Sequence, residues 1–134
     1  MTFRYIIFYV TIFFSFSLSK ETPFIIDVRP RLVDGAKVIV NVEVENSYEK
    51  PIEYLEGFIL EFDAKENLKN EKKIIMLNEY EPPLQPGYRV AKSSIYPLYK
   101  EKPHTYKFRM SKVKYMGDLR IFTWHKNAGF IRID

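Results

Sequence analysis

Cysteine is absent from the 134-residue chain. Its absence excludes disulfides, thiolate metal centres, a cysteine nucleophile and a lipid-modified cysteine together. Histidine is almost as scarce, with only His104 and His125. A histidine-based metal site would need both, joined by a carboxylate, and their spacing arranges no such meeting. No metal and no cofactor is expected. Alanine is rare, and no segment repeats its apolar residues every 3.6 positions, so helices are not expected. No Asn-x-Ser/Thr acceptor occurs, which argues against a heavily glycosylated eukaryotic surface protein. Phosphate-cradling glycine loops and dinucleotide fingerprints are missing as well.

Catalytic frames are equally thin. Ser93-Ser94 lack the Gly-x-Ser-x-Gly setting of an activated nucleophile. The acid pairs Glu53/Glu56 and Glu61/Asp63 are of the residue type a glycosidase uses. Carboxylates on strand faces are ordinarily solvated, however, and a small sandwich leaves little room for a deep cleft. A small hydrolase is the least favoured reading, and no catalytic residue is assigned.

What the chain does hold is aromatic and β-branched. Ten Tyr and eleven Phe bring aromatics to 16%, a composition that favours strands. At the start, Arg4 is the one charge in residues 1–5, and residues 6–16 (IIFYVTIFFSF) are nearly unbroken apolar. Ser17-Leu18-Ser19 then supplies small residues at the two positions a signal peptidase grips. This is the pattern of a secretory signal peptide over residues 1–19. The apolar run falls short of the roughly 20 residues that span a bilayer, and Lys20-Glu21 close it. One mature domain, residues 20–134, is expected in a bacterial periplasm or at the cell surface, with no transmembrane segment after cleavage.

In that domain, residues 24–32 read as a first strand, placed at a sheet edge by Pro30. Asp34-Gly35 marks a hairpin turn. Residues 36–46 put Ala36, Val38, Val40, Val42 and Val44 on one face, with Lys37, Asn41, Glu43 and Glu45 on the other, the two-residue period of a half-buried strand. After a break at residues 46–51, Phe58, Leu60 and Phe62 share one face, and Gly57, Ile59, Glu61 and Asp63 share the other. Simple alternation turns the Phe58 face to the core and the Ile59 face outward. Residues 64–70 read as a polar turn and 72–79 as a strand. Pro86-Gly87 reads as a tight turn, with further strands over 88–95, 104–114 and 119–125 and a short one near 130–133. Seven to nine short strands without a linker or repeat predict an all-β antiparallel sandwich.

The segment VEVENSYEKPIEYLEGFILEFD, followed by Leu84-Gln85-Pro86-Gly87, resembles the FxLYD-type domains of bacterial envelope proteins and their immunoglobulin-like relatives. The matching positions are Asn46, Pro51, Phe58, Leu60, Asp63, Leu84, Pro86 and Gly87, within residues 36–90. Residues 58–63 run one residue longer than the family pattern. The resemblance implies an immunoglobulin-like sandwich with no catalytic residues.

Charge and surplus apolar surface point to a partner. Residues 20–81 hold nine Lys/Arg against fourteen Asp/Glu, whereas residues 82–126 hold ten against two. Such asymmetry suggests an interaction surface unless the two halves interleave and neutralise each other. Residues 74–77 (IIML) and 119–124 (LRIFTW) carry apolar side chains on both faces, more than a two-layer sandwich buries. The expectation is a non-catalytic module binding another envelope protein through an outer sheet face. Its expected contacts are Ile59, Trp124, Tyr96 and Tyr99 together with Lys107, Arg109, Lys112 and Lys114. The alternative is an anionic glycan or lipid headgroup held by those four cations. Nucleic acid is set aside, because a secreted protein rarely meets it.

Overall fold

A computed structural model describes residues 22–134. The signal peptide expected over residues 1–19 lies outside the described residues. Eight strands follow in order: β1 (Phe24–Val33), β2 (Lys37–Asn46), β3 (Ile52–Phe62), β4 (Leu68–Leu77), β5 (Arg89–Pro97), β6 (Thr105–Tyr115), β7 (Phe122–His125) and β8 (Gly129–Arg132). They form two antiparallel sheets, β1-β2-β5 and β4-β3-β6-β7-β8. Among the described residues no helix is long and apolar enough to cross a membrane.

In the small sheet local chemistry and packing agree. Asp34 and Gly35 both take positive φ, 55° and 67°, which matches the twist of the β1–β2 hairpin. β1 pairs only with β2, so Pro30, which lacks an amide proton, costs no ladder bond on its open side. Val38, Val40, Val42 and Val44 are buried in the core, as their alternation requires.

The large sheet breaks the simple alternation. Against β6, the register of β3 slips between Ile52 and Tyr54 and again between Glu56 and Gly57. Against β4 it slips between Leu55 and Glu56 and between Glu61 and Phe62. Only the slip beside Ile52 leaves its unmatched residue, Glu53, on β3 itself, where one extra residue reverses which side later side chains face; the others leave theirs on the neighbours, Ser111 on β6 and Met76 and Lys69 on β4. Ile52, Leu55 and Ile59 therefore all reach the core and are completely buried. Phe58, Leu60 and Phe62 lie on the outer face and are only half buried.

That overturns the expected orientation of β3: Ile59 is a core residue, and Gly57 faces inward beside it. Gly57 is there because the Phe108 ring lies directly against it. A Cβ at this position would meet that ring, and would stand 2.6 Å from the Arg109 carbonyl oxygen.

Asn46, fully buried at the end of β2, ties two loops together. Its Nδ2 donates to the carbonyls of Lys50 and Leu84, both at 2.9 Å, and its Oδ1 accepts from the Tyr48 amide at 3.0 Å. Its backbone also bonds to Tyr88 and Gly87. The described chain enters at this pole, where Ser47 donates to the Pro23 carbonyl. The β3–β4 turn and the β5–β6 crossing lie at the opposite pole, beside the β1–β2 hairpin, to which Leu98 bonds through Ala36.

Candidate functional site

The outer face of β4-β3-β6 is assembled by register. Leu60 stands opposite Lys107, Phe58 opposite Arg109, Glu56 opposite Lys112 and Tyr54 opposite Lys114. Plain alternation would send Lys107 and Arg109 to one side and Lys112 and Lys114 to the other. The slip that leaves Ser111 unmatched puts all four on one face. The Arg109 guanidinium and the Lys107 ammonium each sit 5.3 Å from a ring centroid, over Phe58 and Phe62 respectively. The stems thereby cover apolar surface while the charged heads reach water. Arg109 also approaches Glu71 at 3.9 Å, and Lys114 approaches Glu53 at 3.6 Å.

Beneath this layer Glu56 is a buried carboxylate. Tyr54 Oη and Ser111 Oγ donate to it at 2.8 and 3.1 Å, and Lys73 Nζ lies 3.4 Å away. Burial would raise its pKa. The two hydrogen bonds and the charges of Lys73 and Lys112 outweigh that and hold the carboxyl below the ordinary glutamate range. The Tyr54 phenol is pushed up to about 12 by burial and by its bond to Glu56.

Three expected contact residues lie elsewhere. Tyr96 is 4% exposed and packs in the core on Tyr106, with ring centroids 4.9 Å apart. It stands opposite Val38 on the inward face of β5, so it is corrected from a surface contact to a core residue. Trp124 is half buried, with its ring edge-on to Phe24 at 5.6 Å. Phe130 of the C-terminal strand joins the same cluster, so the chain's own last hairpin covers the apolar surplus of β7. Tyr99 is exposed, but it sits in the β5–β6 crossing away from the sheet face.

Tyr99 belongs to a cleft of about 740 Å³ between the β3–β4 turn and that crossing. Its ring stacks on His104 at 4.0 Å and 12°. His104 Nδ1 lies 3.0 Å from Glu61 Oε2, a nearly buried carboxylate on the inward face of β3. Glu61 stands opposite Tyr106, whose phenol burial and the nearby Glu61 charge push up to about 12. Asp63 closes the turn, accepting the amides of Asn67 and Lys65 at 2.9 Å each, and the Asn67 bond leads in holding its carboxyl below the usual range. Lys65, Lys69, Lys100 and Lys102 line the cleft with Glu101.

No protein-family model and no curated protein sequence matches the chain. Its structure is similar to the crystal structure of a Bordetella pertussis protein provisionally designated ApaA. The TM-score is 0.54 and the sequence identity 17%, over 83% of this chain and 88% of that one. At that identity the likeness is one of fold.

Sequence reasoning missed the cleft, because its walls come from residues 63–69 and 99–104 and its central Glu–His pair is 43 residues apart. The one legible signal was Glu61 itself, an acid within an apolar strand. Among the described residues no group of three or more His, Asp or Glu stands close enough to hold a metal ion.

Proposed function

We propose that the protein is a secreted, non-catalytic immunoglobulin-like module of the bacterial envelope that binds an acidic partner protein through the outer face of β4-β3-β6. The observation that carries this reading is the row Phe58, Leu60 and Phe62 on the outside of the sheet, with Arg109 and Lys107 over its rings. Outer faces of antiparallel sandwiches are ordinarily polar. Aromatic rings beside arginine are the composition favoured at the centre of protein interfaces. The cations around that row select an acidic counterpart and speed its approach.

The strand order supports the immunoglobulin-like type. β1, β2 and β5 form one sheet, and β3, β6 and β7 form the centre of the other, with β4 added at its edge. The apolar leader supports secretion. Binding of anionic glycan or lipid headgroups by the same four cations is favoured by their shared face. It is weakened by the pairing of Arg109 and Lys114 with Glu71 and Glu53.

Crosslinking in the envelope fraction of the source cell tests the reading. The wild-type chain is expected to yield one acidic protein adduct, which Lys107→Glu with Arg109→Glu abolishes while the circular dichroism spectrum is unchanged. Recovery of a free monomer alone, or an adduct indifferent to the charge reversal, would sink it.

A further inference from the structure

We infer that the cleft at the pole opposite the chain's entry binds an acidic sugar, stacked on Tyr99 and paired with Lys65, Lys100 and Lys102. The volume of about 740 Å³ falls in the ~300–1,000 Å³ range of small-molecule sites. One face of the Tyr99 ring rests on His104, and the residue is 46% exposed. The result is a flat aromatic platform backed by an imidazole. A sugar ring presents a face of C–H groups that packs on such a platform.

The charges point to the same class. Among the described residues, Lys65, Lys100 and Lys102 make no ion pair. Asp63 is already engaged by its turn and by Lys69 at 3.6 Å. Three ammonium groups around one cleft call for an anion. Glu101, also in the lining, repels a bare polyanion but accepts a hydrogen bond from a hydroxyl. A ligand with a carboxylate or phosphate, hydroxyls and a C–H face satisfies all three features.

Glu61 faces the core, where an apolar residue would be the cheaper filling. It instead orients His104, which in turn carries Tyr99. Glu61 and His104 are positioning residues in this site.

A glycan panel of uronate, sialate and sugar-phosphate oligosaccharides, with neutral oligosaccharides and inorganic polyphosphate as controls, is titrated against the full-length chain by calorimetry. At least one acidic oligosaccharide is expected to bind, with the neutral chains and polyphosphate weaker by about tenfold or more. Tyr99→Ala is expected to weaken that binding by about tenfold, Tyr99→Phe to retain it, and Lys100→Glu with Lys102→Glu to abolish it.

No binding across the panel would overturn the proposal. So would polyphosphate bound as tightly as the best sugar, or Tyr99→Ala without effect. Because Tyr99 lies in an exposed crossing, near-ultraviolet circular dichroism separates loss of the site from loss of the fold. The charge reversal at Lys107 and Arg109 leaves sugar binding intact, so failure here and failure of the sheet-face reading are told apart.

Discussion

Glu56 is a carboxylate held charged in a place that would rather neutralise it. Tyr54, Ser111 and Lys73 make the charged form the favoured one, so its folded pKa lies below its unfolded value. A group depressed on folding contributes stability that is complete above the unfolded pKa and is lost as pH falls through the folded pKa. Glu56→Gln is therefore expected to lower the unfolding free energy at pH 7 by about 1–2 kcal/mol. The gap to wild type should close as the pH drops below the ordinary glutamate value. Urea titrations at stepped pH check this, and a gap independent of pH would mean the loss comes from packing. Gly57 is the other sharp case. Gly57→Ala forces a methyl group against the Phe108 ring and the Arg109 carbonyl, with an expected cost of about 1–3 kcal/mol. Thermal unfolding reads it directly.

At the level of elements, β2 was legible and β3 was not. β2 runs in unbroken register with both neighbours, so its valine alternation gives the buried face directly. β3 carries the unmatched Glu53 just after Ile52, and a two-residue period counted from Ile52 across it assigns the wrong face to everything beyond. Composition points the same wrong way, because Phe58, Leu60 and Phe62 make the more apolar face, yet the buried one is that of Gly57, Ile59 and Glu61. A separate slip, at Ser111 of β6, gathers Lys107, Arg109, Lys112 and Lys114 on one face, which plain alternation divides. The polar start of β4, residues 68–70, reads as turn by composition; it is an edge strand, where lysines guard an open side. The loops between elements depend on Asn46. It holds Lys50, Leu84 and Tyr48 at once in a place closed to water. Asn46→Ala strands two carbonyls and an amide, with an expected loss of about 2–4 kcal/mol. Amide hydrogen exchange should rise in both the 47–51 and 84–88 loops; a rise in only one would show that Asn46 does not couple them.

Across the whole molecule, the charge asymmetry along the chain is partly folded away. Arg89 pairs with Glu43 and Glu45, Lys92 with Glu81, Arg109 with Glu71 and Lys114 with Glu53. In each case a base from the second half meets an acid from the first. Net charge per segment is legible in the sequence, but its cancellation depends on which strands become neighbours. Closure of the sandwich depends on the last hairpin in the same way. Phe130 on β8 touches Phe24 and Tyr48 from the entry side and Tyr115 and Phe122 from the large sheet, all within 6.1 Å. It thereby ties the end of the chain to its first described strand, over the flank where Trp124 packs. Phe130→Ala removes four ring contacts at a partly exposed position, an expected loss of about 2–3 kcal/mol. Trp124 is the only tryptophan, so its emission reports on that flank alone. A red shift in native buffer, accompanied by a lower unfolding midpoint, is the expected result. An unshifted emission with unchanged stability would mean that β1 and the large sheet hold together without the hairpin.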